Sequence, residues 1–329
     1  MNKPKILVSR KMFPEIIERL LQHFEVEANE TEGVWPQAEL IARLQGKDGL
    51  FITGSEPINA ALLEACPQLR VVCSMAVGYN NIDVPACTAH GVLATNAPDV
   101  LTETTADFGF ALMMATARRI SESELFLRRG EWKQWSIEMF AGSDIHGATL
   151  GMFGMGRIGQ AIARRGHLGF DMKVIYHTRT RLSAEQESPL AAQWVEKDEL
   201  LKQADHLVLI VPYTPASHHA IGERELKLMK PTATLTNVAR GGVVDDAALA
   251  RALAAKTIAA AGLDVYEGEP ALNPELLTVP NVVLTPHIAS ATLKTRRAMA
   301  SLAADNLIAV LTDGKPLTPI NPDVVPKKA

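Results

Sequence analysis

The sequence predicts an α/β protein with two doubly wound parallel sheets, each covered by helices. Short aliphatic runs alternate with amphipathic helical segments along most of the chain, which is typical of parallel βαβ units. The alternation occurs as two successive series, and the second contains a glycine-rich turn between a strand and a helix. The 329 residues are enough for two domains of ordinary size with substantial cores.

Composition excludes several classes of protein. A net charge of −4 argues against a general nucleic-acid-binding surface. Cys66, Cys73 and Cys87 form no C-x-x-C pair, so we interpret them as buried thiols of a reducing compartment rather than disulfides or metal ligands. The sequence has no signal-peptide core near its start and no apolar stretch long enough for a membrane span. We therefore expect a cytoplasmic enzyme or binding protein without a metal.

Residues 5–98 form the first series, which lacks a glycine-rich turn and therefore predicts a flavodoxin-like domain that binds something other than a nucleotide. The predicted strands are residues 5–9, 26–28, 49–53, 71–75 and 92–95, and the predicted helices are 14–24, 36–44 and 59–65. Val77 and Gly78 follow the fourth strand, where their backbone N–H groups could receive a carboxylate. A plain connection between strand and helix explains the same residues equally well.

The second series begins with the apolar run 150–153, which ends at a G-x-G-x-x-G turn followed by a helical pattern. Gly154 permits the tight turn, Gly156 lets backbone approach a pyrophosphate, and Gly159 lets the helix pack close to the strand. A strand, this turn and a helix in that order indicate a Rossmann dinucleotide-binding domain. The alternative is a glycine-rich turn in an ordinary α/β unit.

The residues after the next strand, 173–176, predict which dinucleotide binds. An NAD site places a carboxylate there to bind the ribose hydroxyls, and this chain has none. The positions hold two guanidiniums and two hydroxyls that suit a 2′-phosphate, together with a histidine: His177, Thr178, Arg179, Thr180 and Arg181. We predict NADP(H), with NAD(H) as the weaker possibility. A solvated basic loop is the alternative.

Further elements complete the second domain. Residues 102–119 predict a buried apolar helix, and Ser121 has the spacing of a capping box that starts another helix. Residues 131–147 hold aromatic residues without clear periodicity and predict either a dimer contact or a lid over their own subunit. The remaining predicted strands are 193–195, 206–211, 233–236, 258–263 and 282–284, and the remaining helices of this domain are 197–203, 223–229 and 246–255. Residues 291–311 predict a last long helix that lies past this domain and should finish against the first one.

Three ionisable residues stand near the ends of late elements and form a coherent chemical set. Arg240 and His287 follow predicted strands, and Glu269 lies in the loop between them. Histidine readily supplies a proton near neutral pH, a carboxylate beside it favours its charged form, and arginine can hold a 2-keto acid. Taken singly, each has another explanation: a surface arginine, a turn glutamate and a capping histidine.

These motifs together resemble the D-2-hydroxyacid dehydrogenase family, and within it the glyoxylate/hydroxypyruvate and 2-ketogluconate reductases. The resemblance covers nearly the whole chain and is carried by residues 77–79, 154–159, 237–241, 260–265, 267–270 and 286–290. It implies a substrate-binding domain of residues 1–98 and 290–329 around a dinucleotide-binding domain of residues 99–289. It also implies a homodimer through an arm at residues 120–147, where Met139 and Phe140 stand near the position of a family tryptophan.

The resemblance implies a role for each site residue. His287 is the acid/base, Glu269 pairs with it, and Arg240 holds a substrate whose carboxylate meets the backbone of Val77 and Gly78. Asp264 contacts the nicotinamide carboxamide. The other implied cofactor contacts are Thr104, Met155, Arg157, Ile158, Val211, Pro212, Asn237, Val238, Ala239, His287, Ala289 and Ser290.

The expected reaction is NADPH-dependent reduction of a small 2-keto acid, such as glyoxylate, hydroxypyruvate or 2-keto-D-gluconate. One alternative is an NAD-linked dehydrogenase acting on 3-phosphoglycerate, which would want the missing ribose-binding acid. The other is a nucleotide-sensing scaffold without turnover, which the complete set of Arg240, Glu269 and His287 argues against.

Overall fold

The computed structural model describes residues 3–325, which fall into two compact units. The first unit comprises the described residues up to 101 together with those from 292 onward, and the second comprises residues 102–291. Within residues 3–325, no helix combines the length and apolar character that crossing a bilayer requires.

The strands and helices of residues 3–325 are numbered here in chain order. The strands are β1 Lys5–Val8, β2 Glu25–Ala28, β3 Gly49–Ile52, β4 Val71–Ser74, β5 Leu93–Thr95, β6 Thr149–Phe153, β7 Lys173–His177, β8 Gln193–Trp194, β9 His206–Leu209, β10 Thr234–Asn237, β11 Ala260–Leu263 and β12 Val282–Leu284. The α-helices are α1 Pro14–His23, α2 Gln37–Leu44, α3 Ala60–Ala65, α4 Val84–Ala89, α5 Thr102–Ala117, α6 Ile120–Arg128, α7 Arg157–Phe170, α8 Ala184–Glu187, α9 Lys197–Gln203, α10 Glu223–Leu228, α11 Asp246–Ala254 and α12 Leu293–Asp313.

The sheet of the first unit is parallel, with strand order β2-β1-β3-β4-β5. This is the flavodoxin-like order, so the predicted fold class of this unit is confirmed. Sequence analysis missed α4, a short helix whose start is marked by Asp83. The Asp83 carboxylate accepts a hydrogen bond from the Ala86 N–H at 2.9 Å, and Pro85 occupies the first turn.

The core of the first unit lies on both faces of its central strands. Leu50, Phe51 and Ile52 of β3 are fully buried, and each such side chain contributes about 1.5–3 kcal/mol to folding. Helix α12 packs against β3 and β4. Gly49 allows this close packing, because a Cβ there would lie 2.9 Å from the Leu307 Cδ1.

The sheet of the second unit is also parallel, with strand order β12-β11-β10-β9-β6-β7-β8. Strands β6 to β11 have the Rossmann order, and β12 adds a seventh strand at the edge. The predicted Rossmann sheet is therefore confirmed. Chain order reverses between β6 and β9, and a doubly wound sheet binds its ligand at the carboxyl ends of the strands flanking such a reversal.

The predicted capping box at Ser121 is wrong. Helix α6 begins one residue earlier, so Ser121 lies inside its first turn, and the capping position is Arg119 in a left-handed conformation with φ of 54°. No side chain caps this helix start. The Arg119 guanidinium instead pairs with Glu122 at 2.7 Å, one turn into the helix.

Candidate active site

Steric crowding explains why two of the three positions in the turn after β6 are glycine. Gly154 has φ of 107°, and a Cβ there would lie 2.5 Å from the Ile210 carbonyl oxygen. A Cβ on Gly159 would lie 2.5 Å from the Gly154 carbonyl oxygen. Gly156 differs, because its Cβ would meet open space. The first and third glycines therefore serve packing, and the second leaves room beside the backbone.

Helix α7 begins directly at this open space. Gly156 is its capping residue and has no side chain with which to cap the helix. The N–H groups of the first turn carry the positive end of the helix dipole, which suits an anion. The turn and the helix start together have the shape and polarity of a pyrophosphate site.

The loop after β7 corrects one step of the sequence reasoning. Arg181 is not available for a ligand, since its guanidinium binds both carboxylate oxygens of Glu187 at 2.8 and 2.9 Å. The Tyr176 hydroxyl also donates to Glu187 at 2.7 Å. Hydrogen bonds from Arg181 and then from Tyr176 lower the pKa of Glu187 to about 2. One guanidinium is thereby left at this loop, that of Arg179.

Arg179 is exposed and, among residues 3–325, forms no hydrogen bond or ion pair. His177 next to it is fixed by a 2.9 Å hydrogen bond between its Nδ1 and the Val195 carbonyl oxygen, and its ring stacks on Phe153. The Thr178 hydroxyl donates to the Thr180 carbonyl oxygen at 2.7 Å. Contacts within the loop and with its neighbours therefore hold it in place, while the Arg179 guanidinium remains exposed to solvent.

The turn that carries Arg240 is built by its neighbours. The Asn237 side-chain oxygen accepts from the Ala239 N–H at 3.0 Å, and Arg240 donates to the Ala239 carbonyl oxygen at 2.7 Å. Gly241 lies against the loop after β11, where a Cβ would come within 1.7 Å of the Tyr266 carbonyl oxygen. Burial lowers the pKa of Arg240, and the negative charge of Glu269 partly opposes this shift.

His287 and Glu269 form a hydrogen-bonded pair, with 2.7 Å between the histidine Nδ1 and the glutamate Oε2. The other Glu269 oxygen accepts from the Tyr266 N–H at 2.8 Å. Burial alone would raise the pKa of Glu269, but hydrogen bonds from His287 and Tyr266 and the charge of Arg240 lower it overall. The Nδ1 contact fixes the ring and leaves its Nε2 for a substrate.

Asp264 holds the His287 loop in place, a role that sequence reasoning missed. Its side chain is fully buried, and its oxygens accept hydrogen bonds from the Thr285 hydroxyl and the N–H groups of Ile288 and Ala289 at 2.7–2.8 Å. The His287 N–H in turn donates to the Asp264 carbonyl oxygen at 2.9 Å. The predicted contact between Asp264 and a nicotinamide stays a prediction.

Tyr266 and Asp246 were also missed, and both anchor the loop that carries Glu269. The Tyr266 hydroxyl lies 2.9 Å from the carbonyl oxygens of Leu263 and Thr285, so it links the ends of β11 and β12. The Asp246 carboxylate accepts from the Glu267 N–H at 3.0 Å. Burial raises the pKa of Asp246 to about 6, against this hydrogen bond. An acid at the start of α11 gave no sequence signal for this contact.

The other predicted cofactor residues of the second unit lie in or near these loops. Thr104 is in α5, Met155, Arg157 and Ile158 adjoin the glycine turn, Val211 and Pro212 follow β9, Val238 and Ala239 follow β10, and Ser290 follows Ala289. Several of these side chains are buried: Met155, Asn237, Val238, Ala239 and Ala289. A cofactor would therefore meet mainly their backbone atoms.

The Val77–Gly78 loop of the first unit follows β4. The Asn96 side chain donates to the Val77 carbonyl oxygen at 2.7 Å, and the Ser74 hydroxyl accepts from the Ala76 N–H at 3.1 Å. Within the described part of the chain, the N–H groups of Val77 and Gly78 meet no acceptor. Two adjacent free donors of this kind suit a carboxylate.

Known proteins resemble this chain along its full length. Residues 110–289 match the D-isomer specific 2-hydroxyacid dehydrogenase NAD-binding domain. A glyoxylate reductase of Thermococcus gammatolerans is 48% identical over 330 residues, covering 99% of this chain and 98% of that protein. A glyoxylate reductase of Pyrococcus furiosus is 47% identical over 327 residues, covering 98% of this chain and 97% of that protein.

Two solved structures extend the comparison. An NADPH-dependent glyoxylate/hydroxypyruvate reductase of Sinorhizobium meliloti, in complex with NADP and malonate, has a TM-score of 0.88 and 37% identity, covering 100% of both chains. The holo form of a Rhodotorula graminis D-mandelate dehydrogenase has a TM-score of 0.87 and 28% identity, covering 99% of this chain and 100% of that one. The predicted resemblance is thus confirmed, and the chain belongs to the D-isomer specific 2-hydroxyacid dehydrogenase family.

Proposed function

We propose that this chain is an NADPH-dependent reductase of small 2-keto acids, with glyoxylate and hydroxypyruvate as the leading substrates and 2-keto-D-gluconate as a further one. The observation that carries the proposal is the 2.7 Å contact between His287 and Glu269, with Arg240 at the end of a neighbouring strand. Support for the substrate class comes from relatives named glyoxylate reductase at 48% and 47% identity.

In the proposed mechanism, the residues of the chain bind the acid and donate the proton, and a nicotinamide would supply the hydride when bound. The His287 imidazolium donates a proton from its Nε2 to the carbonyl oxygen, and Glu269 stabilises the charged ring through Nδ1. Arg240 binds the carboxylate and carbonyl oxygens of the acid through paired N–H groups. In the first unit, the N–H groups of Val77 and Gly78 are proposed as a pair of donors for a carboxylate.

The glycine turn and the loop after β7 fit a phosphorylated dinucleotide. The start of α7 and the space beside Gly156 fit the pyrophosphate, and exposed Arg179 fits the 2′-phosphate. The NADP in the Sinorhizobium relative supports the same choice. Replacing Arg179 by alanine should raise KM for NADPH about tenfold or more, because a hydrogen bond to a charged group contributes about 1.5–3 kcal/mol, and leave KM for NADH unchanged.

Arg181→Ala is the matched control for this variant, since that guanidinium is already bound to Glu187. It should change KM for NADPH far less than Arg179→Ala does. Equal effects of the two variants, or a clear preference of the wild-type protein for NADH, would contradict the assignment of NADPH.

The decisive experiment measures NADPH oxidation with a panel of 2-keto acids and, separately, NAD reduction with 3-phosphoglycerate. Glyoxylate, hydroxypyruvate and 2-keto-D-gluconate should be turned over, and 3-phosphoglycerate should not. Turnover of 3-phosphoglycerate alone would favour the serine-pathway alternative. A protein that binds NADPH but turns over no 2-keto acid would be a nucleotide-sensing scaffold.

We also propose a homodimer through the arm of residues 120–147. Large side chains stand in solvent there, with Trp132 54%, Trp135 73% and Ile137 85% exposed, and such apolar exposure is typical of an interaction surface. Phe140 packs edge-on against Phe126, with ring centroids 5.1 Å apart, so two segments of the arm contact each other. Light scattering should give twice the chain mass, and Ile137→Glu should give monomers. A monomeric wild-type protein would contradict this.

A cytoplasmic location is proposed on the cysteines. Cys66, Cys73 and Cys87 are buried free thiols, and burial raises the pKa of Cys73 and Cys87 to about 12. Thiols of this kind are inert and suit a reducing compartment. Fractionation of the cells that make the protein would test the location.

A further inference from the structure

Two histidines and a glutamate of the second unit meet outside the set of Arg240, Glu269 and His287. His218 and His219 lie in the loop after β9, and Glu267 lies in the loop after β11. The two imidazole rings stack with 3.9 Å between centroids, and the His219 Nε2 is 2.9 Å from a Glu267 carboxylate oxygen. Each residue offers one ligand atom, and these three atoms all lie within 4.8 Å of one another.

This donor set has the chemistry of a transition-metal site. Imidazole nitrogens and a carboxylate oxygen are the ligands of many zinc sites, at about 2.0–2.2 Å from the metal. A tetrahedral ion at those distances separates its ligand atoms by about 3.3 Å. Small side-chain rotations would bring the three atoms from their present spacing to that geometry. His218 and Glu267 are exposed and His219 is partly exposed, so water can take the fourth position.

Each of the three residues is also held by a further contact, as ligands of metal sites usually are. The His218 Nδ1 lies 3.1 Å from the Tyr213 hydroxyl, which leaves its Nε2 for an ion. The His219 N–H donates to the Gly242 carbonyl oxygen at 2.7 Å, with the residue in a left-handed conformation of φ 48°. The Glu267 N–H donates to Asp246 at 3.0 Å. The His218 ring and the backbone of His219 and Glu267 are therefore held in place before any ion binds.

We propose that His218, His219 and Glu267 bind one divalent transition-metal ion of the zinc class. The ion would join the loop after β9 to the loop after β11. Glu267 lies two residues before Glu269, so the ion would restrain the segment that positions the partner of His287. The site requires nothing from the proposed reductase activity, and its test does not depend on that activity.

Calorimetric titration of the full chain, without an affinity tag, with Zn²⁺ tests the site. We expect one ion per chain in the wild-type protein. His219→Ala and Glu267→Gln should weaken binding at least about tenfold, because loss of even an outer-shell partner of a metal ligand costs about 10–100-fold. His146→Ala is the matched control, since His146 and Asp171 form a surface pair at 3.3 Å without a third ligand, and it should bind as the wild type does.

Co²⁺ gives an independent readout, because its visible absorption reports nitrogen and oxygen ligands in tetrahedral geometry. The bands should appear with the wild-type protein and the His146→Ala variant and be lost in His218→Ala. Unfolding curves without metal establish that each variant folds. Absence of saturable binding, or equal affinity in folded His219→Ala and wild-type protein, would overturn the proposal.

Discussion

Two histidine–glutamate pairs stand on neighbouring loops of the second unit, and they look alike locally. The pairs His287–Glu269 and His219–Glu267 have nitrogen–oxygen distances of 2.7 and 2.9 Å. Both histidines adopt left-handed backbone conformations, with φ of 53° and 48°. Such conformations are uncommon for residues other than glycine and often mark functional positions. The pairs differ in what surrounds them.

The surroundings of Glu269 fit the acid/base role that is proposed for its pair with His287. Its second oxygen accepts from the Tyr266 N–H, and Arg240 contributes a positive charge nearby. Its side chain is 32% exposed, against 46% for Glu267. A second histidine lies beside the Glu267 pair instead. A histidine beside a carboxylate therefore does not indicate one function by itself. The residues around each pair favour proton transfer for one proposal and metal binding for the other.

The largest contrast between the pairs should appear in turnover. His287→Ala should lower kcat for glyoxylate by about 10²–10⁴-fold, the usual contribution of a general acid, while NADPH still binds. His219→Ala should leave metal-free kcat within about twofold, as a surface substitution does. Stopped-flow NADPH oxidation and fluorescence titration measure these quantities. Equal losses in both variants would abolish the distinction.

Substitution of the two glutamates should also affect kcat differently, by a smaller factor than substitution of the histidines. Glu269→Gln should lower kcat about tenfold to a hundredfold, because it removes a hydrogen bond to a charged group worth about 1.5–3 kcal/mol. Glu267→Gln should leave kcat unchanged in metal-free buffer. An unchanged kcat in Glu269→Gln would count against the proposed role of Glu269 beside His287.

Substitutions in the contacts that anchor the two histidine loops should differ in their effect on the free energy of unfolding. Asp264→Asn weakens acceptors of the His287 loop and should lower the free energy of unfolding by about 1–3 kcal/mol, since buried N–H groups lose their best partners. Tyr213→Phe removes only the hydroxyl beside His218 and should cost less than about 0.5 kcal/mol. Urea unfolding of both variants measures the difference. Similar losses would mean that Asp264 is not a special anchor.

The smallest effect concerns the pH dependence of stability. Asp246 has a pKa of about 6 in the folded protein, above its value in the unfolded chain. Between about pH 4 and 6 the folded state therefore binds more protons than the unfolded state, and the contribution of Asp246 to stability falls as pH rises. The pKa of Glu269 is lowered, so its contribution is present above its ordinary pKa and is lost as pH falls through the folded value.

Substitutions separate these two opposite slopes. Asp246→Asn should remove the loss of stability between about pH 4 and 6, and Glu269→Gln should remove the acid-side loss. Urea midpoints measured across this range distinguish the two groups. A steeper fall with rising pH in Asp246→Asn would contradict the assigned direction.

Local sequence pattern was enough for the sheets and for the glycine turn. Continuous apolar runs such as that at residues 207–209 identify buried parallel strands, because both faces of such strands are covered. The sequence pattern did not identify contacts between residues that are distant in the chain. Arg181 looked available for a phosphate until the fold brought it to Glu187, and His219 and Glu267 lie 48 positions apart in the chain.

The wrong capping box at Ser121 and the missed anchoring role of Asp264 have a common cause. A capping pattern predicts a helix start from residues in sequence order, but at α6 the chain turns at Arg119 before the pattern applies. The buried carboxylate of Asp264 looks like any acid after a strand, because its three donors come from the loop after β12. Roles of this kind depend on tertiary contacts rather than on residue spacing.

The contact between Gly241 and the Tyr266 carbonyl leaves no room for even one methyl group between two chain segments. The turn that carries the guanidinium and the loop that carries the carboxylate are therefore mechanically joined, and neither shifts alone. Evolution of a new substrate preference by moving that turn would also disturb the partner of the acid. Divergence within such a scaffold is easier through residues remote from this junction, where a change in fit leaves proton delivery intact.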